Sequence, residues 1–69
     1  MKKKAKDLQV GDLIVGDWPF TGRFFEVLNV EPEKEGRVFT FVTVVEFRRD
    51  SDDVYEYSFL SERELEVLD

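Results

Sequence analysis

Short apolar segments, rich in β-branched and aromatic residues, alternate along the chain with segments of charged and turn-forming residues. This spacing is typical of an all-β domain with many short strands. We expect five strands, over residues 8–15, 23–31, 37–47, 54–60 and 65–68.

The third segment, residues 37–47, has the strongest strand pattern in the chain. Alternate positions divide it into two faces, one with Phe39, Phe41, Thr43, Val45 and Phe47 and the other with Val38, Thr40, Val42, Val44 and Glu46. Both faces are fairly apolar, and eleven residues is long for a strand. We therefore expect this strand to bend and to serve two sheets, as strands do in small barrels.

Turn chemistry separates the strands. Gly11 and Asp12 indicate a turn or bulge within the first strand. Residues 16–22 form a loop that contains Pro19, and residues 32–36 form a hairpin turn in which Gly36 is available for positive φ. Residues 48–53 form a second, charged hairpin turn.

The C-terminal segment allows two interpretations. Ser61 and Glu64 have the spacing of a helix capping box, but only one helical turn fits before residues 65–68, which have the pattern of a last short strand. A C-terminal helix over residues 61–69 is the alternative. With the short helical turn, the chain is predicted to be a small five-stranded SH3-like barrel over residues 7–69, preceded by a basic tail over residues 1–6.

Over residues 7–68 the segments DLQVGDLIV, FFEVLNVEPEKEGRVFTFVTVVEF and YEYSFLSERELEVL resemble the N-terminal SH3-like (KOW-type) barrel of bacterial elongation factor P. The resemblance implies the same fold. In that family a lysine at a hairpin tip reaches the ribosomal peptidyl-transferase centre, and Lys34 holds the matching position here. Glu33 and Glu35 replace the glycines beside that lysine, so we carry over the fold and not the activity.

Charge separates the two parts of the chain. Residues 1–6 carry four of the ten basic side chains, and the remaining residues carry all sixteen acidic ones. A body so acidic repels phosphate backbones. It can occupy the basic groove of a nucleic-acid-binding enzyme, or it can simply keep the protein soluble. The sequence leaves both interpretations open.

Several chemistries are excluded or disfavoured. The chain has no cysteine and no histidine, which removes disulfides, Cys/His zinc sites and histidine bases. The carboxylates of residues 50–53 fail the EF-hand pattern, because its glycine and glutamate positions hold Tyr55 and Ser61. We expect no enzyme activity, cofactor, metal or small-molecule substrate. The chain lacks a signal-peptide pattern and an apolar run of membrane-spanning length, so we expect a cytoplasmic protein without a membrane partner.

Trp18, Pro19 and Phe20 lie in a loop between two glycines. They can fold over an open barrel end or form an exposed hot spot for a partner. The predicted partner-binding residues are Trp18, Phe20, Arg23, Asp50, Asp52, Asp53 and Tyr55.

The leading functional hypothesis is a small acidic, non-enzymatic module of phage or bacterial origin that binds a host protein as adaptor or inhibitor. We expect a monomer or a weak homo-oligomer. One alternative is a nucleic-acid-binding or ribosome-associated module that uses the basic residues of 2–6 with Arg23, Arg37, Arg48 and Arg49. Another is a component of a larger assembly that exposes an edge strand.

Overall fold

A computed structural model describes residues 1–17, 19–32, 34–47 and 53–68. The described residues form strands and one short 3₁₀ helix, Ala5–Asp7. The strands are β1 (Lys2–Lys4), β2 (Leu13–Val15), β3 (Phe24–Val30), β4 (Phe39–Glu46), β5 (Val54–Leu60) and β6 (Glu64–Leu68). The prediction of an all-β chain is confirmed.

The strands form one antiparallel sheet in the order β1-β6-β2-β3-β4-β5. Within the described part of the chain, β1 pairs only with β6 and β5 pairs only with β4, so the sheet stays open. The prediction of a closed five-stranded barrel is therefore not confirmed. The sheet has a sixth strand, and two strands keep a free edge.

The additional strand comes from the N-terminal segment that the sequence predicted to be a basic tail. β1 pairs with β6 so that Lys2 lies opposite Glu66 and Lys4 opposite Glu64. These are opposite charges on neighbouring strands, which stabilise an antiparallel pair. Lys3 points to the other side, where its Nζ lies 2.9 Å from Asp12 Oδ2. The lysines of residues 2–4 are thus part of the fold.

Helix and strand bounds differ from the prediction at both ends of the chain. The predicted strand over 8–15 is shortened to β2, because the chain turns before it and the Asp12 N–H donates to the Gln9 carbonyl. The segment before β6 is a non-helical turn, and the helical residues are Ala5–Asp7 instead. The alternative of a C-terminal helix is wrong, since residues 64–68 form β6. In the described ranges no helix is long and apolar enough to cross a membrane.

The core lies on one face of the sheet, which we call the inner face. Its buried side chains are Ala5, Leu8, Ile14, Phe25, Val27, Val42, Val44, Leu65 and Val67. β4 contributes its valine face and leaves its aromatic face outside, where Phe39 and Phe41 remain 45% and 41% exposed. Compact β-branched side chains suit the crowded interior of a small curled sheet.

A buried hydrogen bond joins the start of β4 to the turn after β5. The hydroxyl groups of Thr40 and Ser61 lie 2.8 Å apart, and both residues are buried. The Ser61 N–H also donates to the Val38 carbonyl. Ser61 therefore closes the β5–β6 connection by binding β4, and does not cap a helix.

Candidate functional site

β5 carries three aromatic side chains on the inner face of the sheet, at its free edge. Tyr55, Tyr57 and Phe59 alternate with exposed residues along this strand and are each half-buried. A strand places every second side chain on the same face, so the three rings form a row. The open edge of the sheet leaves that row accessible from one side.

Two further phenylalanines complete an aromatic cluster around Tyr57. Phe25 lies edge-on to it, with ring centroids 6.0 Å apart, and Phe20 lies 6.4 Å from it. Tyr55 stacks on Tyr57 at 6.1 Å with an angle of 11° between the rings. These distances and angles are in the range of favourable aromatic pairs. We call the site formed by Phe20, Phe25, Tyr55, Tyr57 and Phe59 the aromatic groove.

The groove contains an open cavity of about 170 Å³. Its walls come from β2, the loop that follows it, β3, β4, β5 and the start of β6, with Ile14, Val15, Gly16, Asp17, Phe20, Phe25, Val44, Tyr57, Phe59, Arg63 and Leu65 as lining residues. Small-molecule and cofactor sites usually have about 300–1,000 Å³. An apolar cavity of about 150 Å³ can bind a benzene ring. The size thus fits one large apolar side chain better than a cofactor.

Arg23 holds one end of the groove together. Its Nε and Nη2 atoms each donate to the carboxylate of Glu46 at 2.7 Å, and Glu46 is only 6% exposed. The same guanidinium lies over the rings of Phe20 and Phe25 at 5.1 and 5.7 Å. The hydrogen bonds to Glu46 raise the pKa of Arg23, although burial opposes this effect. The paired arginine fixes Phe20 against the inner face.

The other end of the groove is held by more exposed contacts. Arg63 lies over the Phe59 ring at 5.6 Å, and its Nη2 atom is 3.7 Å from Asp17 Oδ2. Both charged side chains are exposed, so this ion pair contributes little and can rearrange around a ligand. Burial raises the pKa of Tyr57, as does its neighbour Tyr55, so its hydroxyl stays protonated at neutral pH.

The structure brings together three of the predicted partner-binding residues. Phe20, Arg23 and Tyr55 all lie at the aromatic groove, on Phe25 and Tyr57. Asp53 is exposed just before β5. Trp18, Asp50 and Asp52 lie outside the described residues, as does most of the predicted 48–53 turn.

The sequence prediction omitted Phe25, Tyr57, Phe59 and Leu65 from the site. The alternation in residues 54–60 puts Tyr55, Tyr57 and Phe59 on one face of the strand, and this pattern was the sequence signal from which Tyr57 and Phe59 could have been predicted. The sequence did not show that this face would meet the loop over 16–22. That meeting depends on the curl of the sheet.

Several basic side chains outside the groove have carboxylate partners. Lys4 and Lys6 lie 2.6 and 2.9 Å from the two oxygens of Glu62. Their hydrogen bonds, first that of Lys4, lower the pKa of Glu62 to about 2. Arg37 donates to Glu31 at 2.9 Å. Pairs of this kind leave less positive charge for a phosphate backbone.

In the parts of the chain that the structure describes, no three acidic side chains come together as a metal site would require. Comparison with known proteins finds no matching family model, no similar curated protein and no similar solved structure.

Proposed function

We propose that this chain is a non-enzymatic interaction module that binds a segment of another protein in the aromatic groove. The observation that carries the proposal is the open, apolar cavity beside Tyr57 and Phe59, which has the size of one large side chain. Aromatic residues beside a pocket are the usual anchors of protein interfaces.

The net charge of −6 indicates the charge that a partner should carry. The exposed carboxylates of Asp17 and Asp53 lie on the segments that flank the groove. They favour a basic partner by steering its approach. We therefore propose a partner segment with one large apolar residue and basic residues around it.

The test is selection of random linear peptides displayed on phage against the immobilised chain. We expect enriched peptides that share one large apolar residue with basic neighbours. Phe59→Ala removes one wall of the cavity and should weaken binding of the selected peptides at least tenfold, equivalent to about 1.4 kcal/mol.

Phe41→Ala is the matched control, because Phe41 lies on the neighbouring strand with its ring on the outer face. This variant should leave peptide binding unchanged. If no peptide is enriched, or if both variants weaken binding equally, the groove is not the binding site and the proposal fails.

The alternative of a nucleic-acid-binding module makes the opposite prediction. Its binding would need the basic residues of 2–6, of which Lys3, Lys4 and Lys6 have carboxylate partners. Titration of labelled single-stranded RNA at 0.15 M salt should show no binding by the wild-type chain. Binding that disappears when these lysines are replaced by glutamine would favour the alternative.

A further inference from the structure

The two free edges of the sheet are protected very differently. β1 has three residues, and all of them are lysines, which is a common way to keep an edge from pairing with another chain. β5 has seven residues, VYEYSFL, with one charged residue and no proline. The β1 edge thus has more of the features that prevent strand pairing than the β5 edge has.

The free edge of β5 is apolar along the inner face and at both ends of the outer face, whose middle holds Glu56 and Ser58. Tyr55, Tyr57 and Phe59 line the inner face, and the outer face exposes Val54 and Leu60 at the two ends of the strand. On that face Leu60 lies opposite the exposed Phe39 of β4, which extends the apolar surface. A strand added here would gain apolar contacts on both faces as well as backbone hydrogen bonds.

The sequence of β5 is complementary to itself in the antiparallel direction. When Tyr57 lies opposite Tyr57 of a second copy, Val54 meets Leu60 and Tyr55 meets Phe59. Glu56 then meets Ser58, so the two carboxylates do not face each other. This register pairs all seven residues, whereas a register centred on Glu56 would oppose like charges.

We infer that two copies of this chain associate by antiparallel pairing of their β5 edges, centred on Tyr57, into one continuous sheet. The contact is isologous, as expected for a two-fold dimer. Directly opposed residues of an antiparallel pair lie on the same face, so the two aromatic grooves come to lie side by side. This inference goes beyond the proposed function and does not depend on it.

The expected dimer is weak. Seven residues a side is smaller than the roughly 20–30 residues a side of a standard interface. Each copy also carries a net charge of −6, which opposes association. Screening of that repulsion should make the dimer tighter as salt is raised from about 0.02 M to about 0.5 M. Binding of a basic partner in the groove should show the opposite salt dependence.

Sedimentation equilibrium from about 10 µM to about 1 mM measures the association, a range that brackets weak binding. Ser58→Lys places a cation opposite Glu56 of the second copy, and Ser58→Glu places an anion there. A two-fold dimer contains the contact between residue 58 and Glu56 twice. We therefore expect Ser58→Lys to tighten the dimer and Ser58→Glu to weaken it, each by about twofold to thirtyfold in the dimerisation constant. Thermal unfolding at 10 µM monitors the fold of each variant.

Thr43→Lys and Thr43→Glu are the matched controls. Thr43 lies opposite Glu56 within the same chain, on β4 and away from the free edge. These variants change the net charge and the charge beside Glu56 in the same way without entering the β5–β5 contact, and they should change the dimerisation constant much less than the Ser58 variants do. A stronger effect at Thr43 than at Ser58 would mean that the outer faces, and not the edges, associate.

Cysteine pairing tests the register directly, because the chain has no cysteine of its own. Val54→Cys mixed with Leu60→Cys should form a disulfide-linked pair under mild oxidation, since directly opposed Cα atoms lie within disulfide range. Either variant alone should give little cross-linking. A wild-type chain that stays monomeric at 1 mM and 0.5 M salt, or equal cross-linking in all three samples, would overturn the inference.

Discussion

The hydrogen bond between the Thr40 and Ser61 hydroxyl groups provides a sharp test of how this small sheet is held together. The two oxygens lie 2.8 Å apart and both residues are 7% exposed. One hydroxyl donates and the other accepts. Removing one of them leaves the other buried without its partner, which costs about 1–3 kcal/mol. Removing both avoids that unpaired group.

The experiment is a double-mutant cycle with Thr40→Val, Ser61→Ala and the double variant. Thr40→Val keeps the shape of the side chain, so the hydroxyl is the main change. We expect each single variant to lower the free energy of unfolding by about 1–2 kcal/mol. The double variant should lower it by less than the sum, with a coupling energy of about 1 kcal/mol. Urea unfolding followed by circular dichroism gives all four values.

These changes are a sizeable fraction of the total free energy of unfolding, which is about 3–10 kcal/mol for a domain of this length. Thr43→Val is the control, because Thr43 lies on the same strand but on the outer face. It should change stability by less than about 0.5 kcal/mol. Strict additivity of the two single variants, or a cost at Thr40 equal to that at Thr43, would refute the reasoning.

Three other substitutions test the surroundings of the groove and the contact of Lys4 and Lys6 with Glu62. Gly16→Ala should destabilise the chain in urea unfolding, since an added Cβ would collide with the Phe20 carbonyl oxygen; unchanged stability would show that the loop can shift. Arg23→Met should lower the thermal unfolding midpoint more than Arg37→Met does. The first variant removes a partner of the buried carboxylate of Glu46, and the second removes a partner of the exposed carboxylate of Glu31; equal shifts would contradict the role of burial. Glu62→Gln tests the pH dependence of the free energy of unfolding. The ionised Glu62 carboxylate stabilises the fold above pH 4.5, and this stabilisation is lost as the pH falls to about 2. The difference in free energy of unfolding between wild type and Glu62→Gln should therefore shrink over that range. A constant difference in pH-dependent unfolding experiments would mean that the lysine contacts do not stabilise the fold.

The sequence predicted the strands with clear alternation. β3, β4 and β5 lie within the predicted segments 23–31, 37–47 and 54–60, since period-two patterns are strong local signals. The predicted positive φ at Gly36 is also confirmed, at +80°. These features depend mainly on residues that are close together in the chain.

Features that depend on distant residues were not predictable in the same way. β1 has no apolar alternation, and it pairs with a distant strand, β6, that places opposite charges across from Lys2 and Lys4. β4 has two apolar faces, so its sequence could not show which one would be buried. The resemblance to elongation factor P concerned the overall arrangement of strands, and it could not show that the sheet would stay open.

The candidate site also depends on residues that are distant in sequence. Phe20 and Tyr55 were predicted from their residue types, and they meet through Phe25 and Tyr57, which were not among the predicted partner-binding residues. Arg23 was predicted as a partner-binding cation, and the structure shows its bidentate contact with buried Glu46 beside the groove. Burial of that carboxylate could not be predicted from a strand with two apolar faces.

The pairing of β1 with β6 joins the first and the last strand of the sheet in chain order. Lys2 lies opposite Glu66, and the Met1 carbonyl accepts a hydrogen bond from the Val67 N–H. During synthesis β1 therefore has no strand to pair with until β6 has been made, after the four strands between them. Contacts so distant in sequence slow folding. β1 can join the sheet only together with β6 or after it, and its lysines disfavour pairing of its edge with other chains until then.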